Sequence, residues 1–143
     1  MRAALALALL LLAGPDQNVG QVQLMDAIEK ALVLPPRAHP LGDYARFYAF
    51  EADGKVVGRY VIPERAEPET ATGCLWVGRN GKTRVEPCPP SRAWPEGVAA
   101  GERKWVADPA SVPGMSDGGC RQVNLLYHPR SGKVEWVFCN GFG

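Results

Sequence analysis

Four cysteines, Cys74, Cys88, Cys120 and Cys139, are the residues of this chain best equipped for chemistry, as a redox pair, as metal ligands or as staples. Their spacing separates the three. No two of them form a C-x-x-C pair, the spacing that lets one turn present two sulfurs to zinc or to a thiol-exchange partner. Four thiols behind an export leader instead read as two structural disulfides, for which three pairings exist. Cys74–Cys88 and Cys120–Cys139 are favoured because each pair brackets its own candidate hairpin. Each bond closes a loop of about 15–20 residues, worth on the order of 3 kcal/mol through the entropy removed from the unfolded chain.

The other reactive side chains are scattered. His39 lies in a proline-flanked connector and His128 opens a turn, so neither belongs to a closely spaced ligand pair such as H-E-x-x-H. Glu64, Glu67 and Glu69 cluster in a proline-containing polar loop; paired carboxylates do acid–base work when one is buried, and nothing in the pattern marks these as buried, so they read as a solvated loop. The segment "SDGG" before Cys120 lacks the alternating acids of a calcium loop and reads as a turn. There is no nucleophile elbow and no phosphate-binding glycine loop. The sequence therefore points to no metal, no cofactor and no catalytic residue.

The compartment follows from "MRAALALALLLLAGPDQ": a basic Arg2, an uncharged Ala/Leu run and small residues at Ala13 and Gly14. That is the layout of a secretory signal peptide over 1–14, too short to cross a bilayer as a helix. The expected mature chain, 15–143, has the length of one domain. Arg2 leaves with the leader, so the 16 basic residues become 15 against 15 acidic ones. A neutral chain lacks the basic footprint of nucleic-acid binding, and no later segment is long and apolar enough to span a membrane. A periplasmic or secreted location is expected.

Positioning falls to one helix and three hairpins. "NVGQVQLMDAIEKALVLPP" places Leu24, Ala27, Ile28, Ala31 and Leu32 on one helical face, with Asn18 and Gln21 as a capping box, Asp26 and Lys30 as an i,i+4 pair, and Pro35-Pro36 as the stop. "DYARFYAFEADGKVVGRYVIP" reads as a hairpin with a type I′ turn at Asp53-Gly54, which sets Phe47 opposite Tyr60 and Tyr48 opposite Arg59. In that register the small residues Ala45, Ala49 and Gly58 receive the helix. A second hairpin turns at Asn80-Gly81. The segment 88–119, rich in proline and glycine, is expected to pack down through Trp94 and Trp105, with "ERKWVA" as a strand. In the last hairpin, pairing Val123 with Trp136 and Leu125 with Val134 gathers the apolar residues on one face and sets Cys120 opposite Cys139. The sum is an α+β fold: an N-terminal helix packed on one twisted antiparallel sheet of three β-hairpins, stapled by two disulfides.

In this arrangement Tyr44, Arg46, Tyr48 and Phe50 form a stripe facing Arg59 on the sheet surface away from the helix. Tyrosine and arginine are enriched in binding hot spots, so the stripe is the candidate binding site. The competing expectation is that this face packs beneath 88–119 with its arginines paired to Glu64, Glu86 or Asp108. The basic trio Arg79, Lys82 and Arg84 at the second hairpin's tip is a weaker candidate. The functional expectation is a small exported non-enzymatic binding protein of the bacterial envelope, an inhibitor or accessory factor with a protein partner. The alternative uses the outline shared with cystatin-like and NTF2-like folds: a pocket lined by Phe47, Tyr60, Trp76 and Trp136, binding or acting on a small hydrophobic molecule.

Overall fold

A computed structural model describes residues 16–68 and 70–141; the expected leader, 1–14, and Glu69 of the acidic loop lie outside the described residues. The helical period of the N-terminal segment is realised as α1, Asp16–Ala31. Asn18, the expected start of the capping box, lies within this helix and not at its first residue. Met25 and Ile28 are buried, Leu24, Ala27 and Leu32 are partly so, and Ala31 is exposed. Asp26 does not spend its charge on Lys30. It reaches Arg103 instead, 2.5 Å away, tying the helix to the sheet.

Two hairpins, β1 (Ala45–Phe50) with β2 (Val56–Val61) and β6 (Gly119–His128) with β7 (Lys133–Asn140), make up four strands of a five-stranded sheet ordered β5-β1-β2-β6-β7. The short β5, Arg103–Trp105, adds to β1 in parallel, which makes the sheet mixed. The helix covers one face, over a core of Tyr44, Tyr48, Val56, Tyr60, Val123, Leu125 and Tyr127. Part of the other face is covered by the irregular 88–119 segment, which lays Trp94, Val98, Val106 and Val112 over Ala45, Phe47, Ala49 and Val61. This is an α+β fold held by the disulfides Cys74–Cys88 and Cys120–Cys139.

The second hairpin departs from expectation. Strands β3 (Thr70–Val77) and β4 (Thr83–Cys88) pair only with each other and form a separate two-stranded sheet. Hence the fold is not one sheet of three hairpins: one hairpin stands out as an arm.

Two registers also differ. Phe47 pairs with Arg59 and Tyr48 with Gly58, one step from the type I′ pairing. A type I′ turn needs positive φ at both central residues, yet here Gly54 has φ +82° and Asp53 is not in the left-handed region. The turn is a three-residue loop, 52–54, closed by Gly54 N–H to Glu51 O and Glu51 N–H to Lys55 O. Because the side-chain period is two, that single step moves every residue of β1 to the other face relative to β2. Tyr44, Arg46 and Tyr48 thus join Tyr60 beneath the helix, while Ala45 and Ala49 lie on the far face.

In the last hairpin Val123 pairs with Cys139, Leu125 with Val137 and Tyr127 with Val134. An extra residue, Glu135, interrupts β7, and a wider irregularity in β6 between Gly119 and Val123 carries Cys120 to within 4.5 Å (Cα–Cα) of Cys139. The disulfide forms out of a bulge and not across a regular pair. Val134, Val137 and Cys139 reach the core, and Trp136 and Phe138 are turned to the opposite face, half-exposed.

Candidate functional site

The five residues of the expected stripe are separated by the observed register. Tyr44, Arg46 and Tyr48 are buried under α1, Phe50 is exposed at the strand end against Trp105, and Arg59 is on the opposite face of the sheet. No surface stripe unites them.

The buried group is a polar network with an apolar surround. Glu29 of α1 accepts from Arg46 Nη1 at 2.9 Å and from Tyr48 Oη at 2.7 Å, and Arg103 lies 3.7 Å from its second oxygen. Tyr48 and Tyr60 hydroxyls are 2.9 Å apart. A carboxylate can only accept, so Tyr48 gives its proton to Glu29 and receives one from Tyr60. Burial, with the neighbouring hydroxyl and carboxylate, pushes the Tyr48 phenol far above its ordinary range; burial also raises Tyr60. Both phenols stay protonated near neutral pH. Arg46 also donates to Gly101 O at 2.5 Å, and Tyr44 Oη donates to Cys120 O at 2.6 Å while accepting from His39 N–H. These contacts fasten helix, connector and β5 to the sheet. Their role is architectural.

Arg59 has a different setting. It does lie beneath the 88–119 segment, but on main-chain carbonyls and not on the expected carboxylates: Nη1 donates to Val112 O at 3.0 Å and Pro113 O at 3.3 Å, and Nε donates to Asn124 Oδ1 at 3.0 Å. Among the described residues no carboxylate pairs with it. Burial alone lowers its pKa from the ordinary guanidinium value. Beside it runs a groove of about 500 Å³ lined by Arg59, Gly114, Met115, Gln122, Asn124 and Phe138 among others. Gly114 permits the close crossing, since a Cβ there would lie 2.6 Å from Arg59 Nη1. Gln122 and Asn124 were not singled out from sequence. Their signal was present: two amides alternating with Val123 and Leu125 in a strand that the apolar pattern marks as central.

The arm is the second surface feature. Pairing of Leu75 with Val85 and Val77 with Thr83 puts three aliphatic side chains on one face, 65%, 68% and 70% exposed for Leu75, Val77 and Val85. Trp76, 45% exposed, pairs with Arg84 on the other face, where Arg84 meets Glu86 at 2.7 Å. Arg79, Lys82 and Arg84 surround a hollow of about 520 Å³ beside Trp76 at the tip. Arg79 and Lys82 have no carboxylate partner among the described residues.

The four residues of the alternative pocket do not converge. Phe47 belongs to the far-face core, Tyr60 to the helix-side core, Trp76 to the arm and Trp136 to the open part of the sheet. Among the described residues no group of three or more His, Cys, Asp or Glu could hold a metal ion, and no helix is long and apolar enough to cross a membrane. Neither a protein-family model, nor a curated protein, nor a solved structure matches the chain.

Proposed function

We propose that this is a small exported binding protein of the bacterial envelope, non-enzymatic, that meets a protein partner through the β3–β4 arm. The observation that carries the reading is the arm itself: Leu75, Val77 and Val85 are left open on one face of a stapled hairpin. A two-stranded hairpin is marginal by itself in water, so the Cys74–Cys88 bond holds in place a shape that burial within the chain does not support. Exposed aliphatic clusters of this kind mark interaction surfaces. Covering each of the three side chains is worth on the order of 1–2 kcal/mol.

The partner's chemistry follows from the arm's own. An apolar strip complements the aliphatic face, and carboxylates at its border complement Arg79 and Lys82. Along 73–77 and 83–86 no other described strand pairs with the outer edges of the arm, which also suits pairing with an extended segment. Export rests on the leader-like N-terminus and on two disulfides, which persist in oxidising compartments.

The test is site-specific photocrosslinking in the intact envelope from Val77 and Val85, with Lys133 as the control position. The expected result is one discrete adduct from the arm only. The adducted protein, purified, should then form a defined complex with the exported chain, weakened at least about tenfold by Leu75→Ser/Val85→Ser with unchanged melting. Equal adducts from Lys133, or lipid adducts alone, would overturn the reading.

A further inference from the structure

The groove beside Arg59 is a separate feature from the arm and carries its own chemistry. Across the sheet Phe138, Asn124 and Arg59 form one row on β7, β6 and β2. Asn124 is 7% exposed. Its Oδ1 accepts two hydrogen bonds, from Arg59 Nε at 3.0 Å and from Gln122 Nε2 at 2.9 Å. Gln122 is itself held, its Oε1 accepting from Met115 N–H at 2.6 Å. Both lone-pair directions of the Asn124 oxygen are thus used, and the amide orientation is fixed. Its Nδ2 has no hydrogen-bond partner among the described residues and is not sealed from the surface. The same holds for Arg59 Nη2, because Nε and Nη1 take every bond the guanidinium makes. The groove floor therefore presents unused N–H donors and one positive charge.

We infer that this groove binds a carboxylate attached to an apolar or aromatic body, held by Arg59 Nη2 and Asn124 Nδ2 with the body against Phe138. One guanidinium and one neutral amide match the single charge and planar fork of a carboxylate, whereas a phosphate dianion calls for more positive charge. Phe138 is 49% exposed and stands 5.2 Å, centroid to centroid, from Trp136, so an apolar wall adjoins the donors. A volume of about 500 Å³ fits a ligand of amino-acid to dipeptide size. A free aromatic acid and the C-terminus of a peptide present this chemistry alike.

The test uses the oxidised exported chain and four probes: 3-phenylpropionate, its primary amide, acetyl-Gly-Gly-Phe and the corresponding C-terminal amide. Calorimetry gives affinities, and nuclear magnetic resonance follows the side-chain N–H signals of Asn124 and Arg59. At least one acid binds, shifts both signals, and exceeds its own amide by at least about tenfold. Preference between the two acids tells a free acid from a chain terminus. Asn124→Asp is the decisive variant. It keeps an acceptor for Arg59 and Gln122, neutralises the guanidinium and removes the amide donors, so melting is unchanged or raised while acid binding falls at least about tenfold. Should Arg59→Lys be compared, the charge stays, the fork is lost and the acid–amide preference shrinks. Acids and amides binding alike, no probe binding, or full acid affinity in Asn124→Asp would each overturn the inference. None of these results bears on the arm.

Discussion

Replacing Glu29 by glutamine strands a buried cation, and the cost can be worked from the contacts. Arg46 is 10% exposed at its side chain and Glu29 17%. Glutamine preserves the volume and still accepts from Tyr48, so the hydrogen bond at 2.7 Å survives in kind. Arg103 keeps Asp26 and loses little. Arg46 keeps the Gly101 carbonyl and the neutral glutamine oxygen as acceptors but loses its countercharge, and its Nε already lacks a partner. Removing one member of a buried ion pair costs about 3–5 kcal/mol, and the remaining acceptors place the expected loss near the lower end, about 3 kcal/mol. For a domain of this size that lowers the melting temperature by roughly 10 °C. Urea unfolding followed by tryptophan fluorescence measures it. Glu29→Gln/Arg46→Met removes both charges and should return to within about 1 kcal/mol of the parent, since the penalty belongs to the stranded charge and not to the lost pair. A loss below about 0.5 kcal/mol for Glu29→Gln, or additive losses in the double variant, would refute the reasoning.

Other expectations address the staples, the tyrosines and the sheet. Cys120→Ala/Cys139→Ala lowers global stability by about 3 kcal/mol, measured by urea unfolding, because it opens the β6–β7 hairpin of the main sheet. Cys74→Ala/Cys88→Ala leaves the main melting transition nearly in place but exposes 73–88 to limited proteolysis, since the arm pairs with nothing else in the sheet. Tyr44, Tyr48 and Tyr60 all have raised folded-state pKa values, with burial the largest cause. Their protonated forms are the ones the fold holds, so their contribution is complete below pH about 10 and declines as pH rises beyond it. Absorbance at alkaline pH should show their ionisation coinciding with unfolding. Gly58→Ala places a Cβ 2.8 Å from Leu125 Cγ and should cost about 1–3 kcal/mol in the same urea assay.

What was legible in the sequence was what local pattern determines. Helical spacing located α1, alternation located the hairpins, and the bracketing of hairpins by cysteines selected both disulfides. Register was not legible, for a definite reason. Ala52-Asp53-Gly54 and Arg79-Asn80-Gly81 each end in a glycine at positive φ, and both belong to three-residue loops that share their last two letters with a two-residue turn. One residue of loop length then decides whether Arg46 and Tyr48 face solvent or the helix. Glu135 has the same effect in β7: alternation predicts Trp136 and Phe138 inside, and one bulged residue turns them out. The expected surface stripe is divided by the register, and the groove beside Arg59 depends on a chain crossing at Gly114 that no local pattern encodes.

The proposal that the arm awaits a partner is tested most directly by hydrogen exchange at 73–77 and 83–86, on the oxidised chain alone and with the protein recovered by crosslinking. Alone, these amides should exchange far faster than those of β2 and β6, which lie inside the main sheet. In the complex they should slow at least about tenfold, with the main sheet unchanged. Arm amides already as protected as the central strands in the isolated chain, or unaltered by the partner, would contradict the account.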